Sequence, residues 1–427
     1  MEQGGGYISS SRWAIVMVFG LLLGACDFDT SGLPGPLPPS SPDIMSGGVG
    51  FTAPGILQVY YGRDCANAKK QEQFGKTFYR DMSIRHDHVL PSFANRAAVF
   101  LNGWEFDFKG EDRDLETIAA GLESIKLAAG TLSWVARGFI AERAFDVAFG
   151  FCYSYAVVSW NDTKVDLASD QSAWHETKQD NNGDHTSLTA NGGFAPTPAA
   201  VGKKTVALLP AGFLFSFSGA DHHLLQLAYD LGPHARYLSR RDESFPYHSV
   251  NCGVASGKFT CNKLSLPAVL AKSSRADQGH VSWISSGILR DNDIRPYSFG
   301  DRVTVLTGND VSLIEPPFAI VPYSPKGYFD ACMRNVSTEE TVDVEILDLP
   351  FKYAVPMLTG WELRYACDDE EVKRIGVYIH DVTYNAPGTA PGTLRYKVTG
   401  RLHDENSDTE FTLRHKVHIL GLNFGPD

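Results

Sequence analysis

The sequence lacks the short motifs that identify most enzyme active sites. It has no G-x-S-x-G nucleophile turn, no H-E-x-x-H zinc motif and no C-x-x-C pair, and "GKKT" at 202–205 lacks the upstream glycine of a phosphate loop. These absences argue against a serine hydrolase, a zinc protease, a thioredoxin-type redox site and a nucleotide phosphate site. Glycosidase carboxylate pairs have no fixed spacing, so an enzyme of that class stays open.

The chain is also short of positive charge. It has 38 lysines and arginines against 50 aspartates and glutamates, which gives a net charge of -12. An acidic chain is a poor candidate for binding nucleic acid or anionic lipid headgroups. We therefore expect no nucleic-acid partner, and no motif implies a cofactor.

An apolar run near the N-terminus indicates where in the cell the protein is located. "WAIVMVFGLLLGAC" follows Arg12 and is too short for a permanent transmembrane helix, but it suits the apolar part of a signal peptide. It ends in "LLGAC", which resembles the lipobox of bacterial lipoproteins. The resemblance implies that residues 1–25 are a signal peptide and that Cys26 is the first mature residue, anchored to the membrane through fatty-acyl chains such as palmitate. The alternative is an ordinary signal peptide cleaved nearby.

The next segment reads as a tether. Residues 26–50 are rich in proline, glycine and serine, and residues 31–50 are nearly uncharged, so this segment cannot bury enough apolar surface to fold. Asp27 follows the predicted lipidation site, and in enteric bacteria an aspartate there holds a lipoprotein at the inner membrane. We expect an extracytoplasmic protein at the periplasmic face of the inner membrane or at the cell surface.

Six cysteines remain after Cys26, and an even number in an oxidising compartment suggests disulfides. "GVASGKF" can turn a short hairpin, so we predict that Cys252 bonds Cys261. Sequence cannot choose among the three pairings of the other four, which are Cys65, Cys152, Cys332 and Cys367.

A pattern recurs three times along the chain. "GWEFDFKGEDRDLETI", "GFLFSFSGADHHLLQL" and "GWELRYACDDEEVKRI" align without a gap, and they start at Gly103, Gly212 and Gly360. Each has apolar residues at alternate positions, which indicates a half-buried strand. Each then has an aspartate whose side chain can accept backbone N–H bonds in a turn, namely Asp112, Asp221 and Asp369.

The alignment continues through three further predicted strands, and the last of them ends at Asn161, Asn309 or Asn423. "GTLSWVARGFI", "GHVSWISSGIL" and "GTLRYKVTGRL" share an aromatic position and a glycine position. The aromatics are Trp134, Trp283 and Tyr396, and the glycines are Gly138, Gly287 and Gly400. "DLETIAAGLESIKLAAG" has helical propensity, but we predict a strand because the aligned "VKRIGVYIHDV" is not helical. We expect the recurring aromatics to pack in the core.

These patterns predict an all-β protein of three related tandem β-sandwich units of the immunoglobulin-like kind, with jelly-roll topology as the alternative. The predicted units span residues 51–165, 166–312 and 313–427. The second unit carries a long insertion around the predicted disulfide hairpin, and such loops often carry function.

The triplet Asp221-His222-His223 is the most metal-like motif of the chain, and we interpret it as a structural turn. In the alignment its histidines correspond to Arg113-Asp114 and to Glu370-Glu371. A ligand set essential to the fold would not exchange histidine for acid or arginine so freely. His86 and His88 are a second candidate pair, because alternate residues of a strand point to one side.

The predicted function is a binding or structural role at the cell envelope, with a protein or glycan as the partner. The alternative is a carbohydrate-binding protein or a carbohydrate-active enzyme. Non-recurring aromatics could stack on sugar rings, namely Trp160, Trp174, Tyr237 and Tyr247. A binding module predicts a site on the insertion or at a unit junction, whereas an enzyme predicts acidic residues that converge in a cleft.

Overall fold

The computed structural model confirms the all-β class, and no helix capable of crossing a membrane occurs among the described residues. The described residues are 48–68, 70–73, 76–79, 82–109, 113–142, 147–178, 188–194, 205–218, 222–231, 236–238, 247–255, 258–268, 280–291, 296–308, 311–314, 319–320, 339–365, 371–386, 392–404 and 411–423. Cys26 and nearly all of the predicted tether lie outside them, and strand β1 begins at Gly48, within the last residues assigned to the tether.

The strands follow one another along the chain with connections of varied length. The first group is β1 (Gly48–Ala53), β2 (Leu57–Asn67), β3 (Lys70–Gln73), β4 (Lys76–Tyr79), β5 (Met82–Val89), β6 (Arg96–Phe108), β7 (Thr117–Ala128), β8 (Thr131–Ala141) and β9 (Phe149–Trp160). The second is β10 (Leu167–Gln171), β11 (His175–Lys178), β12 (Leu188–Phe194), β13 (Thr205–Phe217), β14 (Gln226–Leu231), β15 (Arg236–Leu238), β16 (Tyr247–Ala255), β17 (Lys258–Ala268), β18 (His280–Arg290) and β19 (Tyr297–Gly308). The third is β20 (Val311–Ile314), β21 (Ala319–Ile320), β22 (Glu339–Leu349), β23 (Tyr353–Tyr365), β24 (Arg374–Asn385), β25 (Gly392–His403) and β26 (Phe411–Leu422).

Each predicted unit contains a quartet of strands with the same antiparallel pairing. The quartets are β6, β7, β8 and β9; β13, β14, β18 and β19; and β23, β24, β25 and β26. The first strand of each pairs with the fourth and the second with the third. In all three the first strand has a bulge directly before the aligned glycine, which then lies opposite Ser154, Arg302 or Lys416. The sequence alignment and the strand register therefore agree residue by residue.

The two strand pairs of a quartet pack face to face, and the recurring third-strand glycine makes room for this. Gly138 faces the ring of Phe151, Gly287 faces Phe299, and a Cβ at Gly400 would lie 2.7 Å from the Leu413 side chain. The side chain that fills the space comes each time from the fourth strand of the same quartet. A larger residue at the glycine would force the two layers apart.

The quartets join one another through their backbones in cyclic order. Strand β7 pairs with β13, β14 pairs with β23, and β24 pairs with β6. Each contact joins the second strand of one quartet to the first strand of another, and we call this closed arrangement the ring. Close approach requires glycine at the bulge, since a Cβ at Gly212 would lie 2.9 Å from the carbonyl oxygen of Ala120. Residues 43–427 accordingly form one compact unit.

The long insertion of the second predicted unit also takes part in strand pairing. Strands β16 and β17 form an antiparallel hairpin in which Cys252 lies opposite Cys261, the backbone arrangement that their predicted disulfide requires. Strand β17 pairs in parallel with β22, and β16 with β20. The insertion is thus hydrogen-bonded through its backbone to residues of the third predicted unit.

One disulfide links two neighbouring strands of the first predicted unit. Cys65 in β2 lies opposite Cys152 in β9, and the two are bonded. This is one of the pairings that the sequence left open, whereas Cys332 and Cys367 lie outside the described residues.

We expect the double variant Cys65→Ser with Cys152→Ser to lose stability by about 2–4 kcal/mol, because the bond closes a long loop and limits the unfolded chain. Urea unfolding of the variant and the wild type, both without reductant, measures the difference. If dithiothreitol destabilised the wild type more than the variant, and by this same difference, the loss would belong to this bond, because the predicted bond between Cys252 and Cys261 would be reduced in both proteins. Equal midpoints for the two proteins would contradict the prediction.

Candidate functional site

Three aromatic side chains meet at the centre of the ring. Trp104, Phe213 and Trp361 occupy the same aligned position on the first strand of each quartet, and their ring centroids lie 4.9, 4.9 and 5.3 Å apart. All three are buried. The cavity beside them has a volume of about 10 Å³, far below the few hundred Å³ of a typical small-molecule site. The centre of the ring is therefore packed core rather than a ligand pocket.

A buried charge cluster lies where β24 meets β6. Glu105 is 3 % exposed, and it accepts hydrogen bonds of 2.6 Å each from Arg63, Arg374 and Arg401. Arg401 also donates to Glu339 at 2.6 Å. The cluster thus connects β2 and β6 to β22, β24 and β25.

The electrostatics of this cluster favour the charged state of Glu105. Burial alone would raise the pKa of Glu105, but the guanidinium groups of Arg63, Arg401 and Arg374 hold that pKa below its usual range. Arg63 also stacks over the ring of Tyr378, with its guanidinium carbon 3.9 Å from the ring centre. At the junction between β14 and β23, Glu362 takes the equivalent position and accepts a hydrogen bond from Gln226 at 2.8 Å.

The histidines of the "DHH" motif have separate partners. His222 Nδ1 lies 3.3 Å from Asp291 Oδ2, whereas His223 Nε2 lies 3.1 Å from Asp114 Oδ1. The aspartates assigned to the recurring turn, which are Asp112, Asp221 and Asp369, lie outside the described residues. His222 and His223 therefore do not act as one ligand pair, and Asp114 is the contact that sequence reasoning missed.

His86 and His88 do not form an open metal-binding pair. His86 Nδ1 lies 2.7 Å from Asp64 Oδ2, and its Nε2 lies 3.1 Å from the hydroxyl of Tyr155. With both ring nitrogens hydrogen-bonded, His86 has no lone pair directed at an ion in this arrangement. The ring of His88 packs on Tyr60 at 4.6 Å, and burial lowers the pKa of His88 and favours its neutral form.

The recurring third-strand aromatics lie in the core, with Trp134 and Trp283 each 1 % exposed and Tyr396 also buried. The two indole N–H groups have partners on the fourth strand. Trp134 donates to the Tyr153 hydroxyl at 3.2 Å, and Trp283 donates to Asp301 at 3.0 Å. Burial raises the pKa of Asp301 to about 6.

The aromatic residues considered for sugar stacking do not form a shared surface in the described part of the chain. Trp160 is fully buried, whereas Trp174 is 39 % exposed. The side chains of Tyr237 and Tyr247 lie outside what the structure describes. Trp160 is therefore not accessible for stacking on a sugar ring.

Comparison with known proteins does not assign this chain to a family. No protein-family model and no curated protein matches the chain. A protein with the triple jelly roll fold of an archaeal virus is similar at 10 % identity over 84 % of this chain and 90 % of its own, with a TM-score of 0.13. A structure from Sulfolobus turreted icosahedral virus is similar at 9 % identity over 87 % and 92 %, with a TM-score of 0.10. Similarity at this level carries no inference about fold or function.

Proposed function

We propose that this chain is a lipid-anchored, extracytoplasmic protein of the bacterial cell envelope with a binding or structural role. The observation that carries the proposal is the "LLGAC" sequence at the end of a short apolar run, followed directly by a proline-rich segment. A signal peptide, a lipid on Cys26 and a tether would together hold a folded body outside the cytoplasmic membrane. The bond between Cys65 and Cys152 supports an oxidising compartment.

The folded body supports a structural or surface-binding role over catalysis in an enclosed pocket. Backbone pairing joins all three quartets, so one part cannot separate from another without breaking a sheet. The centre is filled by Trp104, Phe213 and Trp361. A rigid body of this kind suits presentation of an outer surface to a protein or glycan partner at the end of a tether.

We expect Cys26→Ser to abolish lipid attachment and to leave an uncleaved precursor, because the serine hydroxyl does not replace the thiol as the acceptor of the lipid. Membrane fractionation, together with intact-mass measurement of the purified chain, gives the result. The wild type should start at Cys26 and carry the added mass of the lipid.

The matched control is Asp27→Ser, which alters the neighbouring residue and keeps the thiol. This variant should retain the lipid mass, although its distribution between membranes can change. A mature wild-type protein that starts at another residue and carries no lipid would contradict the proposed anchor.

A further inference from the structure

Three potential metal ligands converge at one end of the ring. Asp114, His223 and Glu371 each offer one ligand atom, and these atoms all lie within 4.8 Å of one another. The residues come from three distant parts of the chain, but they take the same position in the alignment of the three predicted units. Their convergence therefore follows from the cyclic order of the quartets and not from a local motif.

The backbone around these residues is held by reciprocal hydrogen bonds between quartets. Arg113 and Val372 exchange two bonds of 3.0 and 2.8 Å, and Leu115 and His222 exchange two of 2.8 and 3.1 Å. Asp114 lies between these two bridges. His223 follows one bridge and Glu371 precedes the other. The three side chains are thus presented from fixed backbone, as a preorganised ligand set requires.

We propose that Asp114, His223 and Glu371 bind a divalent transition-metal ion of the zinc class. Imidazole nitrogen and carboxylate oxygen atoms are both zinc ligands in proteins, and three protein ligands with water in the fourth position is an arrangement that zinc uses. Ligand atoms on a tetrahedral zinc ion lie about 3.3 Å apart when the bonds are about 2.0–2.1 Å. His223 Nε2 and Asp114 Oδ1 lie 3.1 Å apart, which is close to this spacing, and a bound zinc ion would replace the proton that joins these two atoms in a direct hydrogen bond.

The bound ion would join all three quartets at one point, next to the backbone bridges. It would therefore stabilise the closed ring against separation of its members.

A pair of catalytic carboxylates is the competing interpretation of the same residues. The carboxyl groups of a retaining glycosidase lie about 5–5.5 Å apart across the scissile bond, and those of an inverting enzyme lie farther apart. Here a histidine lies in contact with one carboxylate, and all three ligand atoms fall within 4.8 Å. This spacing fits coordination of one ion better than it fits a sugar between two acids.

Zinc titration of the full-length protein, purified without a histidine tag, tests the proposal. Competition with a chromophoric chelator measures affinity and stoichiometry, and thermal unfolding with and without zinc provides a second readout. The wild type should bind one zinc ion per chain and melt at a higher temperature when zinc is present. Magnesium should not compete, because it prefers six oxygen ligands.

The variants His223→Ala, Asp114→Asn and Glu371→Gln should each lose zinc affinity by about 100-fold or more, because loss of a ligand exceeds the effect of losing an outer contact. His222→Ala is the matched control, since it removes the adjacent imidazole that contacts Asp291 instead, and it should bind like the wild type. The two near-isosteric carboxylate variants keep the test valid if His223→Ala unfolds.

Several outcomes would overturn the proposal. The wild type could show no saturable zinc site at millimolar zinc. All three ligand variants could bind zinc as tightly as the wild type does, which would place the ion elsewhere. His222→Ala could lose affinity as much as His223→Ala, which would remove the assignment to this set. None of these outcomes bears on the lipid anchor, which the Cys26→Ser experiment tests separately.

Discussion

Trp134→Ala and Trp283→Ala should each lower the free energy of unfolding by about 3–5 kcal/mol. Each indole is 1 % exposed and fills the space between the two layers of its quartet. Trp134 also packs on the ring of Tyr155 at 5.0 Å and on His86 at 4.3 Å. Alanine would leave a cavity lined by aromatic rings, and it would leave the Tyr153 hydroxyl or the Asp301 carboxyl without its indole donor. Urea unfolding followed by circular dichroism measures the change.

Trp174→Ala is the control for these variants. The side chain of Trp174 is 39 % exposed, so its removal should change stability much less, by about 1 kcal/mol at most. Losses of similar size at Trp134 and Trp174 would show that the recurring position is not a core position.

Glu105→Gln should cost about 3–5 kcal/mol, because it removes the carboxylate that compensates buried cations. The side chains of Arg63 and Arg401 are 11 % and 9 % exposed, and both donate to Glu105. An amide cannot balance their charge, although it keeps the volume of the side chain. Chemical denaturation at neutral pH gives the magnitude.

A surface ion pair provides the matched comparison for Glu105→Gln. Asp87 pairs with Arg85 at 3.6 Å, and both side chains are exposed. Asp87→Asn should therefore change the free energy of unfolding by less than about 1 kcal/mol. If both substitutions had the same small effect, the buried cluster would contribute no more to the free energy of unfolding than a solvent-exposed ion pair does.

The stabilisation from Glu105 should also depend on pH in a defined direction. Its folded-state pKa lies below the value of about 4.3 for an unfolded chain, so the native state binds the proton less readily. The contribution is fully present above about pH 5 and is lost as pH falls through the folded-state pKa. The difference in stability between the wild type and Glu105→Gln should shrink in that window, and a difference that grew on acidification would contradict the assignment.

The sequence predicted much of the local structure because the period-two pattern recurs in aligned segments. Strand β7 is an instance, since its own residues favour a helix and only its aligned copy indicates a strand. The sequence alignment also identified the recurring glycines, but it did not explain them. The structure does so: a neighbouring strand approaches Gly212 closely, and the ring of Phe151 approaches Gly138 closely.

The sequence by itself determined the all-β class, the recurring core aromatics and the hairpin that brings Cys252 opposite Cys261, since alternation and turn residues act over short stretches of chain. Only the tertiary structure decided that the second strand of each quartet pairs with the first strand of another. Such pairing depends on contacts between residues at least 91 positions apart, so Asp114, His223 and Glu371 stay unrelated until the ring closes. The alignment placed these three residues at the same position of their units, but it could not show that they lie close together in the folded protein.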